Sequence, residues 1–134
     1  MRIRLAAVVS VGLGLVLSAC GASAQQVTRW QVEGETREAI VYAPDALAGN
    51  EKIPLVFSFH GRGDTMQNFQ YTNVHVAWPE AIVVYFQGLS TGGGLSGWQA
   101  GRGADGDRDV KLVDVALASL REAYNVDDDR SHAC

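Results

Sequence analysis

The residues in this chain that could do chemistry gather at glycine-rich turns. At His60-Gly61-Arg62-Gly63 a short apolar run stops abruptly, and two glycines allow backbone angles that other residues resist. Backbone N–H groups on such a turn can point at a developing negative charge; the same residues also read as an ordinary turn after a strand. Gly88-Leu89-Ser90-Thr91-Gly92 is a formal Gly-x-Ser-x-Gly with Ser90 as candidate nucleophile, and acidic residues and His132 follow it in the chain order of a Ser/acid/His triad. A serine of that kind needs a helix immediately behind it. Gly92-Gly93-Gly94 is the poorest helix start available, so the stretch reads as a flexible loop and His132 as a solvated tail residue.

Other patterns fail on their context. Gly101-Arg102-Gly103-Ala104-Asp105-Gly106 fits Gly-x-Gly-x-x-Gly, but no strand leads directly into it, which argues against a dinucleotide site. Asp105, Asp107 and Asp109 alternate as in a calcium loop. Val110 stands where that loop needs glycine and Ala116 where it needs glutamate. Neither a cofactor nor a metal site is expected. Arg62-Gly63-Asp64 reads as a turn, and His75 beside Trp78 as a surface or core pair. Trp30, Trp78 and Trp98 read as core or core-edge residues, although Trp98 could also stack on a sugar or aromatic ring. Cys134 has no Cys/His ligand spacing around it and reads as an incidental thiol.

The elements that must position these residues follow from periodicity. Residues 27–32 and 38–42 alternate as two strands of an edge hairpin, with Gly34-Glu35 as the turn and Pro44 as the stop. Residues 44–52 form a connecting loop. Leu55-Val56-Phe57-Ser58-Phe59 and residues 81–86 are continuous short apolar runs, as expected of parallel strands buried on both faces. Residues 67–76 predict a short irregular helix lined by Met66, Phe69 and Val74, closed by Trp78-Pro79. Residues 88–106 predict a long loop. Val110, Val113, Leu117, Leu120 and Tyr124 form the stripe of an amphipathic helix, with Asp109 as N-cap, Arg121 in the last turn and Asn125 as C-cap. Asp127-Asp128-Asp129-Arg130 predicts a polar turn. A strand is due next, and Ser131-His132-Ala133-Cys134 does not read as one. The resulting class is α/β, with an open edge and an uncovered apolar face expected.

Composition adds a compartment. Arg2 and Arg4 precede an apolar segment, Leu5 to Leu17, that is too short for a comfortable membrane span, so residues 1–24 read as an export signal and 25–134 as the mature domain. Leu17-Ser18-Ala19-Cys20 resembles a lipobox, which would place a diacylglycerol on Cys20. Ala22-Ser23-Ala24 fits the ordinary small-x-small cleavage site. Either route gives an exported protein, secreted or lipid-anchored, with membrane contact only through Cys20. The whole chain has a net charge of −4; without Arg2 and Arg4 it is −6, which argues against nucleic acid as a partner.

Taken in order, Ile53-Pro54-Leu55-Val56-Phe57 into His60-Gly61, Trp78-Pro79-Glu80-Ala81-Ile82-Val83-Val84-Tyr85, Trp98, Asp107-Arg108-Asp109-Val110 and Ala123-Tyr124-Asn125-Val126-Asp127 resemble the secreted α/β-hydrolase esterases related to polyhydroxybutyrate depolymerases, feruloyl esterases and acetylxylan esterases. The resemblance spans nearly the whole mature chain and matches the N-terminal half of that fold: an edge hairpin, parallel strands and a crossover helix, truncated before the nucleophile elbow. It implies a serine esterase acting on an ester-containing polymer or plant-wall ester, with His60, Gly61 and Arg62 as the oxyanion-hole region and the Arg62 backbone N–H as donor. The match breaks at Arg130, so Ser, Asp and His of the triad have no counterpart. The chain is expected to be inactive alone; the alternative is a non-catalytic exported lipoprotein that binds a polymer or partner.

Overall fold

Two residues with positive φ, Glu33 (52°) and Gly34 (85°), turn the chain between β1 (Ala24–Val32) and β2 (Glu35–Ala43). Such a pair matches the twist of an antiparallel hairpin, and it places the turn one residue earlier than the sequence suggests. The structure is a computed structural model that describes residues 24–44 and 50–134, so the expected export segment, including Cys20, lies outside the described residues except for Ala24. β3 (Ile53–Phe59), β4 (Ile82–Phe86) and β7 (Val126–Ala133) run parallel, and β2 pairs antiparallel with β4. The five-stranded order is β1-β2-β4-β3-β7. All of β4 and all of β3 except Phe59 are buried, which is why neither strand alternates in polarity.

Both faces of the central strands are covered, contrary to the uncovered face expected from the sequence. Ala39, Val41, Leu55, Phe57, Ile82, Val84 and Phe86 share one face and pack on Leu112, Ala116 and Leu120 of α3 (Arg108–Ala123). On the other face, Ile40, Val56, Val83 and Tyr85 meet Met66, Phe69, Val74 and Trp78. The short helices α1 (Met66–Phe69) and α2 (Val74–Ala77), joined by a 3-10 turn at Gln70–Thr72, carry this second layer. Thr65 caps α1, its hydroxyl accepting the Asn68 N–H at 3.2 Å.

The expected helix forms, but its buried stripe differs. Asp109, Leu112, Ala116 and Leu120 face the sheet, Val113 and Leu117 flank them, and Val110 is 49% exposed. Asp109 is therefore a buried first-turn residue rather than the N-cap, a position held by Asp107; the C-cap is Tyr124 rather than Asn125. Asn125 instead donates its side-chain amide to the Asn50 carbonyl at 2.8 Å and accepts the Ile53 N–H on its own carbonyl at 2.8 Å.

The last residues form a strand where none was expected. Ser131 and Ala133 stand opposite Leu55 and Phe57; Cys134 donates to the Phe57 carbonyl at 2.9 Å and accepts from the Phe59 N–H at 2.8 Å. Their side chains are exposed, and the ladder is made by backbone, so polar side chains do not prevent pairing. The Asp127–Arg130 stretch is a bulge inside this strand: Ile53 pairs with Val126, yet Leu55 already pairs with Ser131. The Asp127 carboxylate fastens the bulge, accepting from Asp129 N–H (3.1 Å) and Arg130 Nε (2.6 Å). The Arg130 bond first, with help from the Asp129 N–H, holds the Asp127 carboxyl below the usual range.

Candidate functional site

β3 delivers its C-terminal end to the His60 turn, and His60 is nearly inaccessible (2% exposed). Its Nε2 accepts the Gly88 N–H at 2.9 Å, so the ring hydrogen is assigned to Nδ1, which donates to the Gly61 carbonyl at 2.7 Å. Gly61 O also accepts the Asp64 N–H at 3.1 Å, closing a β-turn in which Gly63 takes φ 83°. The exposed side of the turn is open: a Cβ built on Gly61 meets nothing within 4 Å. His60, Gly61 and Arg62 thus form a compact unit at the end of a parallel strand, with the imidazole serving as its buried brace.

The segment expected as a long loop contains a two-stranded ribbon, β5 (Leu89–Ser90) with β6 (Ser96–Gly97). Gly88 allows the ribbon to close, since a Cβ there would lie 2.5 Å from the Gly97 carbonyl oxygen. The ribbon is sewn to the His60 turn. Gly63 N–H donates to Ser96 O at 2.7 Å, the Ser96 hydroxyl donates to Asp64 O, and the Arg62 guanidinium donates to Gly92 O at 2.6 Å. Between them lies a cleft of ≈ 560 Å³ lined by Arg62, Ser90, Thr91, Trp98 and Asp105 among others.

Ser90 sits on this ribbon opposite Ser96, with the turn at residues 92–94 behind it rather than a helix. His132 lies on β7 with its ring 5.9 Å from Trp78, so the structure does not bring these two residues into a triad. The three aspartates do not share a site: Asp105 lines the cleft, while Asp107 and Asp109 are each engaged by Gln99. Asp107 accepts from Gly103 N–H (2.7 Å) and Gln99 Nε2 (3.0 Å); the Gly103 bond first, then Gln99, holds its carboxyl below the usual range. Asp109 takes the buried Arg37 guanidinium at 2.7 Å and the Gln99 N–H at 2.6 Å. Among the described residues no group of three His, Cys, Asp or Glu side chains could hold a metal ion.

Two residues of this region escape sequence reasoning. Gln99 caps α3 from outside, its Oε1 accepting the Asp109 N–H at 3.0 Å and the Val110 N–H at 3.4 Å. Arg37 is fully buried on the α3 face, donating also to the Arg108 carbonyl at 3.2 Å. Extending the alternation of Ala39, Val41 and Ala43 back by two residues would have placed Arg37 inward and demanded a buried acid; Gln99 leaves no such signal. Trp98 behaves as a core-edge residue, edge-on to Phe59 with centroids 5.1 Å apart and its Nε1–H donating to the His60 carbonyl at 2.7 Å. His75 proves to be a core-edge partner of tyrosines rather than of Trp78. It stacks on Tyr42 (3.7 Å between centroids), and its Nδ1 lies 3.0 Å from the Tyr85 hydroxyl.

The sequence matches no family model, and no curated protein matches it. Solved structures are similar in fold. A hypothetical protein from Pseudomonas aeruginosa aligns over 98% of this chain and 40% of its own, with TM-score 0.58 and 17% identity. A ferulic acid esterase from Anaeromyces mucronatus, solved with ferulic acid, aligns over 90% of this chain and 51% of its own, with TM-score 0.55 and 16% identity. An esterase aligns over 84% of this chain and 34% of its own, with TM-score 0.53 and 19% identity. The chain therefore has the α/β fold found in these esterases and spans about half or less of their length.

Proposed function

We propose that this chain supplies the oxyanion-stabilising side of a serine-type carboxylic-ester hydrolase. What carries the reading is the His60-Gly61-Arg62 turn, placed at the C-terminal end of β3 beside β4 in a sheet of order β1-β2-β4-β3-β7. In that chemistry a serine oxygen bonds to the ester carbonyl carbon while a histidine takes its proton. The carbonyl oxygen becomes an oxyanion, and the alcohol leaves with the proton. The contribution of this chain is a fixed N–H donor, Arg62, for that oxyanion; one such donor is worth about 10²–10³ in rate. Serine, acid and base have no counterpart among these residues, and the 134-residue chain by itself is expected to be inactive. Ester-bearing polymers and plant-wall esters are the substrate class that the resemblance suggests; the ferulic acid bound by one structural neighbour is not itself an ester but is the acid half of one.

The test is hydrolysis of p-nitrophenyl acetate by the purified chain. The expected rate equals that of a Ser90→Ala variant; a higher wild-type rate would overturn the proposal by making Ser90 the nucleophile. Export, with a lipid on Cys20 or cleavage before Gln25, is part of the same proposal. Mass spectrometry of the protein recovered from cells is expected to find one of those two N-termini, and a chain retaining Met1 contradicts it.

A second reading has its own observation. The cleft places Trp98 and Thr91 beside the opposite charges of Arg62 and Asp105, a surface suited to holding a polymer without cleaving it. Saturable binding to xylan or a polyester that Trp98→Ala abolishes, with no ester turnover, would favour an exported binding protein.

A further inference from the structure

We propose that Trp98 is a positioning residue for the His60 turn, and that by holding the His60 carbonyl it fixes the Gly61 N–H as a second anion donor beside Arg62. The anion-binding role rests on the function proposed above; the positioning does not.

The described residues contain no cis peptide bond, so in each peptide the C=O and the N–H point in opposite directions. The His60 carbonyl is held by Trp98 Nε1 at 2.7 Å. The N–H of the same peptide belongs to Gly61 and must face away from the indole. The next carbonyl, Gly61 O, is held by His60 Nδ1 at 2.7 Å and Asp64 N–H at 3.1 Å, so the Arg62 N–H must face away from the buried imidazole. Both carbonyls are tied down. Among the described residues neither the Gly61 nor the Arg62 N–H has an acceptor, and both residues are exposed. Two adjacent amides with tied carbonyls and free hydrogens on the exposed turn are available as donors to one oxygen anion.

Trp98 can hold that carbonyl because it is itself held. The next residue, Gln99, is gripped at its backbone N–H by Asp109 (2.6 Å) and at its side-chain oxygen by the first amides of α3, while Arg37 anchors Asp109 from β2. The indole N–H is thus tied to the sheet and the long helix as well as to the ribbon that Trp98 follows.

The test removes the indole N–H and keeps the ring. Trp98→3-benzothienylalanine replaces N–H with sulfur at nearly unchanged shape, and Trp98→Phe is the genetic counterpart. With the full 134-residue chain labelled with 15N, the residual dipolar coupling of the Gly61 N–H is expected to change in both variants, because the peptide plane is no longer tied at the His60 carbonyl. The β3 and β4 amides are expected to keep their values. An unchanged coupling at Gly61 would overturn the positioning role, because packing alone survives in the isostere. Titration with inorganic phosphate separates the two claims. Shifts confined to Gly61 and Arg62, weakened several-fold in the isostere, support the donor pair. No shift in the wild-type chain overturns the donor pair and the oxyanion role together, while a moved Gly61 coupling would still establish Trp98 as the positioning residue.

Discussion

At the scale of single residues, the molecule depends on one buried ion pair. Arg37 and Asp109 meet at 2.7 Å with side chains 1% and 9% exposed, and Asp109 also carries the Gln99 backbone. Removing one partner strands the other charge away from water. Asp109→Ala is therefore expected to cost about 3–5 kcal/mol in urea unfolding, whereas the double variant Arg37→Met, Asp109→Leu recovers most of that loss. An equal loss in the double variant would show that packing, not the stranded charge, is the cause. His75 supplies a pH-dependent element. Burial against Tyr42 and Tyr85 lowers its pKa, so the unfolded chain takes up a proton that the folded chain resists. The stability it contributes is complete above the ordinary histidine pKa of about 6.5 and declines as pH falls through that value. His75→Phe keeps the stack on Tyr42 and is expected to flatten the change in unfolding midpoint between pH 7.5 and pH 5.5. The His60 turn was legible because glycine punctuation after a buried strand is a local signal. Arg37 and Gln99 were not, since their partners lie 72 and 10 residues away and only the folded sheet brings them together.

At the scale of elements, the ribbon β5–β6 is set by one close approach. Gly88→Ala puts a Cβ 2.5 Å from a backbone oxygen and 3.0 Å from the Gly97 C and N atoms, none of which is the end of a flexible side chain. The ribbon must shift, and Gly88 N–H must then leave His60 Nε2. The expected cost is about 1–3 kcal/mol, with a displaced Trp98 indole N–H resonance in the proton spectrum. Gly92→Ala, at an open site, is the control and is expected to be close to neutral; a displaced indole there as well would detach the effect from the Gly88–Gly97 contact. Element types were largely readable here, but their phase and limits were less so. The long helix follows from its period, yet the apolar stripe drawn through Val110 misses the inward row, because an ion pair rather than a hydrophobe opens that row at Asp109. β7 escaped because sequence reading looks for apolar side chains, and beyond Val126 and Asp127 this strand is joined to β3 by backbone bonds with its side chains in solvent.

At the scale of the whole molecule, the two covered faces leave the sheet's vulnerability at its edges. Among the described residues β7 has no neighbour beyond it. Cys134 bonds to β3 through both its N–H and its C=O, so by the alternation of a parallel ladder Ala133 directs its own N–H and C=O outward. Beyond the bulge that Asp127 fastens, a row of free donors and acceptors on a stretch without proline is a template for pairing with a second copy. The chain is therefore expected to self-associate as concentration rises, and Ala133→Pro is expected to suppress this by removing one outward N–H while leaving the Cys134 bonds to Phe57 and Phe59 in place. Sedimentation velocity over a concentration series reads the difference, with circular dichroism confirming that the variant keeps its sheet. If the wild-type chain sediments as a monomer throughout, the outer edge of β7 is protected, and the bulge with its exposed Asp128, Asp129 and Arg130 becomes the feature that guards it. Equal association in Ala133→Pro would move the contact to β1, the other edge, where Val27 is exposed.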